Sequence, residues 1–201
     1  MMGTATAPAS SERNTPDWGA LFGVAQAQSG YFTTGQAAEA GYSPQLLQKY
    51  LGNGKVARVM RGIYRLIHFP AGEQEELIWL WLWSEQAGVF SHETALALYD
   101  LSDALPSIVH MTIPASWRHR RLRVPQGLVL HYADLRDADR SQFSAVPVTS
   151  PRRTLHDCIE ANAFPDLVRQ GVVQARRRGL ISERDSVELN TALDRASEGT
   201  P

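Results

Sequence analysis

Five basic side chains, Lys49, Lys55, Arg58, Arg61 and Arg65, lie between Tyr42 and Leu66 with no acidic residue among them. Lysine and arginine at that density suit the neutralisation of phosphate oxygens, and the nearby Ser43, Gln45 and Gln48 can hydrogen-bond to base edges in a major groove. Glutamine suits bidentate contact with adenine, Lys49 contact with guanine or a phosphate, and the arginines contact with phosphates or a minor groove. A solvated helix followed by a charged hairpin would carry the same residue types, so these residues alone leave both readings open.

Other constellations carry less chemistry. Arg118, His119, Arg120, Arg121 and Arg123 fall between two expected strands and read equally as an anionic-partner contact or a solvated loop. Arg176, Arg177 and Arg178 end a helix, where cations favour the dipole. His92 with Glu93, and His156 with Asp157 and Cys158, have the residue types of acid–base or nucleophilic work but no spaced partner, so capping and core roles are expected. Arg153 and Asp157 stand at i, i+4 on a helix and read as an ion pair. Arg152, Arg153, His156 and Asp157 are nonetheless the first candidates if this region modifies a partner. No Gly-rich phosphate loop of either common form is present, and no catalytic set is recognised. The single cysteine, Cys158, cannot make an intramolecular disulfide, and no metal site is expected.

These residues have to be positioned by a chain of 201 residues whose formal net charge is −1. That sum conceals a division, because Glu73 to Asp103 holds seven acidic residues and no lysine or arginine. The 43% hydrophobic and 20% charged composition is that of a folded protein. The longest apolar run, Leu77 to Trp83, is far short of the roughly 20 residues that span a bilayer, so no membrane association is expected and a cytoplasmic location is.

Residues 1–15 are expected to form a disordered leader, 16–70 a first domain, 71–196 a second and 197–201 a frayed tail. In the first domain a helix is predicted from Pro16 to Gln28 with Trp18, Leu21, Phe22 and Ala25 on its buried face. Thr33 to Gln36 has the form of a capping box opening a short helix that Gly41 stops, and Ser43-Pro44 starts a third helix running to Leu51. Val56 to Ile67 then reads as a hairpin turning at Arg61-Gly62. A simple two-residue loop would pair Met60 with Ile63, Val59 with Tyr64, Arg58 with Arg65 and Ala57 with Leu66. Val59 would then face inward, and Arg58 would oppose Arg65 across an anion. This order is that of a winged helix-turn-helix with Ser43 to Leu51 as recognition helix. The second domain reads as mixed, with helices over 73–87, 91–100, 150–161, 165–178 and 182–195 and strands over 108–113, 127–132 and 146–149. Trp79, Trp81 and Trp83 read as core. The fold class is therefore α+β.

The run Tyr31 to Ser43 (YFTTGQAAEAGYS), followed by Leu46-Leu47 and by Val59 to Leu66 (VMRGIYRL), resembles the N-terminal domain of AbiEi-type antitoxins of type IV toxin–antitoxin systems. Val146 to Asp157 (VPVTSPRRTLHD) is similar to a motif of that family's second domain. The resemblance implies a bacterial antitoxin that binds inverted repeats in its own promoter and represses a toxin operon. It implies a nucleotidyltransferase-like toxin as partner, often without a stable complex, and a monomer or weak dimer pairing on operator DNA. No cofactor is implied unless the second domain modifies the toxin covalently, for example by serine phosphorylation, which would require ATP. A winged-helix transcription factor with an effector domain is the further alternative. A nuclease reading finds no support, since no D…E-x-K carboxylate set follows Asp157.

Overall fold

The computed structural model describes residues 15–72, 74–103 and 106–198. The expected leader, apart from Thr15, and tail residues 199–201 lie outside the described residues. The chain divides into two units, Met1–Glu75 and Glu76–Pro201.

Capping chemistry sets the helices of the first unit. Helix α1 (Trp18–Ala27) begins where the Asp17 carboxylate accepts the Ala20 N–H, two residues later than expected from Thr15-Pro16. Strand β1 (Tyr31–Thr33) leads into α2 (Thr34–Glu39), whose capping box is complete: Thr33 accepts the Gln36 N–H and the Gln36 side chain accepts the Thr33 N–H. In α3 (Pro44–Gly52) the Ser43 hydroxyl accepts the Leu46 N–H and Pro44 occupies the first turn. Strands β2 (Val56–Met60) and β3 (Ile63–Leu66) follow, and the sheet order β1-β3-β2 is antiparallel throughout. Leu21, Phe32, Leu47 and Val56 are fully buried at its centre. The unit is a winged helix-turn-helix.

Two expectations for this unit are corrected. Trp18 and Phe22 are 42% and 40% exposed, so the buried stripe of α1 narrows to Leu21 and Ala25. The wing also contains a β-bulge at Val59: Met60 pairs with Ile63 as expected, but Arg58 then pairs with Tyr64, Ala57 with Arg65 and Val56 with Leu66. The extra residue keeps Val56 and Leu66 buried opposite one another and leaves Val59 40% exposed. Arg58 and Arg65 do not oppose each other, and no anion is needed between them.

The second unit packs helices against a five-stranded mixed sheet. Helix α4 (Glu75–Trp83) starts at the last residue of the first unit and buries Leu77, Ile78, Leu80 and Leu82, while Trp79, Trp81 and Trp83 are only half-buried rather than core. Strand β4 (Val89–Phe90), α5 (His92–Leu98), β5 (Val109–Ile113), β6 (Leu128–Tyr132), β7 (Arg140–Phe143) and β8 (Val146–Thr149) follow, with sheet order β6-β5-β4-β8-β7. The β5–β6 and β4–β8 pairs are parallel and the β4–β5 and β7–β8 pairs antiparallel. Helices α6 (Pro151–Glu160), α7 (Pro165–Arg177) and α8 (Glu183–Glu198) close the chain, the last running three residues past the expected helix end. Leu96, Leu155, Val168, Val172 and Leu193 form the core between α5 and these helices. The architecture is α+β, as the pattern of the sequence predicts.

The Val146 to Asp157 motif works as an elbow from strand to helix. Thr149 and Thr154 are both fully buried, their hydroxyls 2.7 Å apart, and the Thr154 hydroxyl reaches the Thr149 carbonyl at 3.1 Å. Pro151 supplies the fixed φ of the first helical turn. The elbow sets the rotation of α6 and so decides which way Arg153 and Asp157 face.

Candidate functional site

In the first unit, Ser43, Gln45, Gln48 and Lys49 are all exposed, and Gln45, Gln48 and Lys49 form one stripe at helical spacing opposite buried Leu47. The Ser43 oxygen accepts the cap bond, which leaves its O–H free to donate. Lys55 stands 5.0 Å over the Tyr50 ring, and Arg58 and Arg61 are exposed on the wing. This surface presents hydrogen-bonding and cationic groups at one helix and one turn, the arrangement that inserts a helix into a major groove while a wing reaches the backbone.

Arg65 is drawn away from that surface. Its Nη2 donates to Glu75 Oε1 at 2.8 Å and to the Phe69 carbonyl at 2.9 Å. The Tyr31 hydroxyl donates to Glu75 Oε2 at 3.1 Å. Burial pushes the Tyr31 phenol up to about 12, helped by Glu75. Burial also works against the Glu75 carboxylate, but the hydrogen bonds from Tyr31 and Arg65 hold it below the usual range. Arg65, expected on the DNA side, is an internal ion-pair partner: the bulge sets Ala57 rather than Arg58 opposite it, and its guanidinium is held by Glu75 and the Phe69 carbonyl.

The second unit brings Arg153 and Asp157 together, ties Arg152 to α8, and leaves His156 exposed with a ring nitrogen within 4.8 Å of an Asp157 oxygen. Arg153 Nε donates to Asp157 Oδ1 at 2.7 Å, the ion pair expected from their spacing, and Arg153 Nη1 lies 3.7 Å from Asp139. Burial raises the Asp157 pKa, with Arg153 opposing it. Arg152 pairs with Asp185 and Glu188 of α8 at 2.7 and 3.1 Å, a surface tie between helices. His156 is exposed, 3.5 Å from Glu160. Cys158 is fully buried, and burial, reinforced by Glu93 and Asp157, pushes its thiol well above the ordinary range, so it has no nucleophilic character.

A cluster that sequence reasoning passed over lies beside this pair. His92, at the start of α5, His110 of β5 and His131 of β6 converge: the His92 and His131 rings stack with centroids 3.5 Å apart, and His110 Nδ1 is 3.0 Å from His131 Nε2. The parallel register puts Thr112 opposite His131, so His110 and His131 are diagonal neighbours on one sheet face. Burial lowers all three imidazole pKa values, and with the smaller contribution of the neighbouring rings His92 falls to about 3 and His131 to about 4. His92 adopts φ +54, in the left-handed region that side chains disfavour. A cleft of 380 Å³ runs past His92 and His131 and is lined also by Arg118, Tyr132, Arg153 and Asp157. A second hollow of 260 Å³ meets His92, Glu93, His110 and Cys158. Arg118 lies 5.2 Å over the Tyr132 ring and Arg120 3.9 Å over the Trp117 ring, so that part of the arginine-rich segment is held in a short 3-10 turn rather than a free loop.

Among the described residues no helix is long and apolar enough to cross a membrane. Residues 20–67 match the model of the family described as "Transcriptional regulator, AbiEi antitoxin". No curated protein matches the sequence. The crystal structure of the RV2827C protein from Mycobacterium tuberculosis is similar with a TM-score of 0.46 and 18% identity, over 98% of this chain and 76% of that one.

Proposed function

We propose, from the match of its first unit to the transcriptional regulators of the AbiEi antitoxin family, that this protein is the antitoxin of a bacterial toxin–antitoxin pair and represses its own operon. It binds promoter DNA through α3 and the wing, two copies sitting on an inverted repeat, since one winged helix makes few base contacts. Its toxin partner is of the nucleotidyltransferase-like class. The observation that carries this reading is the exposed stripe Gln45, Gln48 and Lys49 beside Lys55, Arg58 and Arg61, with no acidic residue between Tyr42 and Leu66.

The test is binding to a duplex carrying the promoter of its own operon, measured across a salt series. The combined variant Lys49→Ala, Lys55→Ala, Arg58→Ala, Arg61→Ala flattens the dependence of log K on log salt by about 0.9 for each phosphate that no longer meets a cation. Unchanged affinity and slope in that variant would remove the reading.

A second reading, in which the second unit inactivates the toxin covalently with ATP, is supported by Arg153 and Asp157 facing a cleft beside Arg118. It predicts a phosphoryl mass increase on the toxin after incubation with ATP and this protein, and an unaltered toxin mass excludes it.

A further inference from the structure

We propose that His92, His110 and His131 form a binding site for a divalent transition-metal ion of the zinc class. One nitrogen from each ring lies within 4.8 Å of the others. His110 Nδ1 and His131 Nε2 are 3.0 Å apart, near the separation of about 3.3 Å that two imidazole ligands take around a tetrahedral ion with bonds of about 2.0 Å. A hydrogen bond between two rings would explain that one distance, but not the third ring stacked 3.5 Å from His131.

The outer nitrogens have the partners that orient metal-ligating histidines. His92 Nδ1 is 2.9 Å from Ser91 Oγ, which also accepts the Thr112 hydroxyl, leaving Nε2 for an ion. His110 Nε2 is buried, makes no hydrogen bond, and lies 3.5 Å from Glu93 Oε2. A carboxylate behind a ligating imidazole fixes its tautomer and strengthens it as a ligand. With Nδ1 bound to an ion, the Nε2 proton would point to Glu93, which gives that orphaned atom its partner. Burial keeps the rings in the neutral form that ligates.

Three protein nitrogens leave a fourth position for water or a small anion, and the cleft lined by Arg118, Tyr132 and Arg153 lies beside it. The ion would fasten the start of α5 to β5 and to the sheet-edge strand β6. The His156–Asp157–Glu160 group is the competing place for an ion on this unit, but it offers only one nitrogen ligand, and its one buried member, Asp157, is already ion-paired with Arg153 at 2.7 Å.

The experiment uses the full, untagged protein, freed of metal with a chelator and titrated with Co²⁺ and then Zn²⁺. The expected result is one equivalent of Co²⁺ giving the intense visible bands of a four-coordinate site, displaced by Zn²⁺, absent in His110→Ala and His131→Ala, and about 10-fold weaker binding in Glu93→Gln. Ring NMR of the unmutated protein serves if a variant fails to fold: Zn²⁺ shifts the signals of His92, His110 and His131 and leaves His68, His119 and His156 in place. Absence of stoichiometric Co²⁺ uptake, unchanged uptake in the folded variants, or shifts confined to His156 would overturn the site.

Discussion

The winged surface of the first unit and the histidine cleft of the second are opposite solutions to placing polar groups. On α3 and the wing, Lys49, Lys55, Arg58 and Arg61 stand in water, close in sequence and independent of one another. The cleft holds its imidazoles and its Arg153–Asp157 pair mostly out of water, gathered from α5, β5, β6 and α6. The first arrangement adds little to stability and makes its contribution only when a polyanion arrives. In the second, each member depends on its neighbours, because a buried polar group without a partner costs far more than an exposed one.

Acid separates the two regions most strongly. The folded-state pKa values of the histidines lie below the ordinary 6.5, so the unfolded chain binds more protons between those values and stability falls as pH drops. In the presence of a chelator, His92 and His131 together should remove about 4 kcal/mol from the second unit between pH 7 and 5. Peptide-resolved hydrogen exchange should show the second unit opening across that range while the first holds. Equal loss of protection in both would break the contrast.

Arg153→Ala comes next, at about 3 kcal/mol by urea denaturation at neutral pH, because it strands the Asp157 carboxylate, already 4% exposed at its side chain. The cost should shrink as pH falls, since a protonated Asp157 needs no counter-charge. Arg65→Ala should cost about 2 kcal/mol by abandoning Glu75 and loosening Tyr31, yet leave the salt slope of DNA binding unchanged. Arg58→Ala should give the reverse and the smallest stability change, within about 0.5 kcal/mol, with the slope reduced by about 0.9. A pair of arginines seven residues apart would then report on the two kinds of site within one hairpin.

The first unit was legible because its signals are local. The Thr33–Gln36 box, Ser43-Pro44 and the turn at Gly62 each specify backbone within a few residues, and α2, α3 and the wing formed where those signals stand. The bulge at Val59 escaped because it is decided by the burial of Val56 against Leu66, not by the turn. Strands β1 and β4 were missed because two or three residues carry too little alternation to show a period, and β7 because Arg140, Ser141 and Gln142 are polar in succession and exposed. In the second unit the i, i+4 spacing disclosed Arg153 with Asp157. The histidine cluster needed the parallel β5–β6 register, which no local pattern encodes, so His92 showed only Glu93 beside it and His110 and His131 drew no attention.

The lone buried thiol makes this chain unusually simple to instrument. Cys158 is fully buried and held protonated, so a maleimide dye added to the native protein should find little to react with. Val59, 40% exposed and outside the strand ladder, stands between Arg58 and Arg61 at the wing. A Val59→Cys change therefore offers one reactive attachment point, from which a fluorophore can follow the wing docking and leaving a duplex in real time without background from the rest of the molecule.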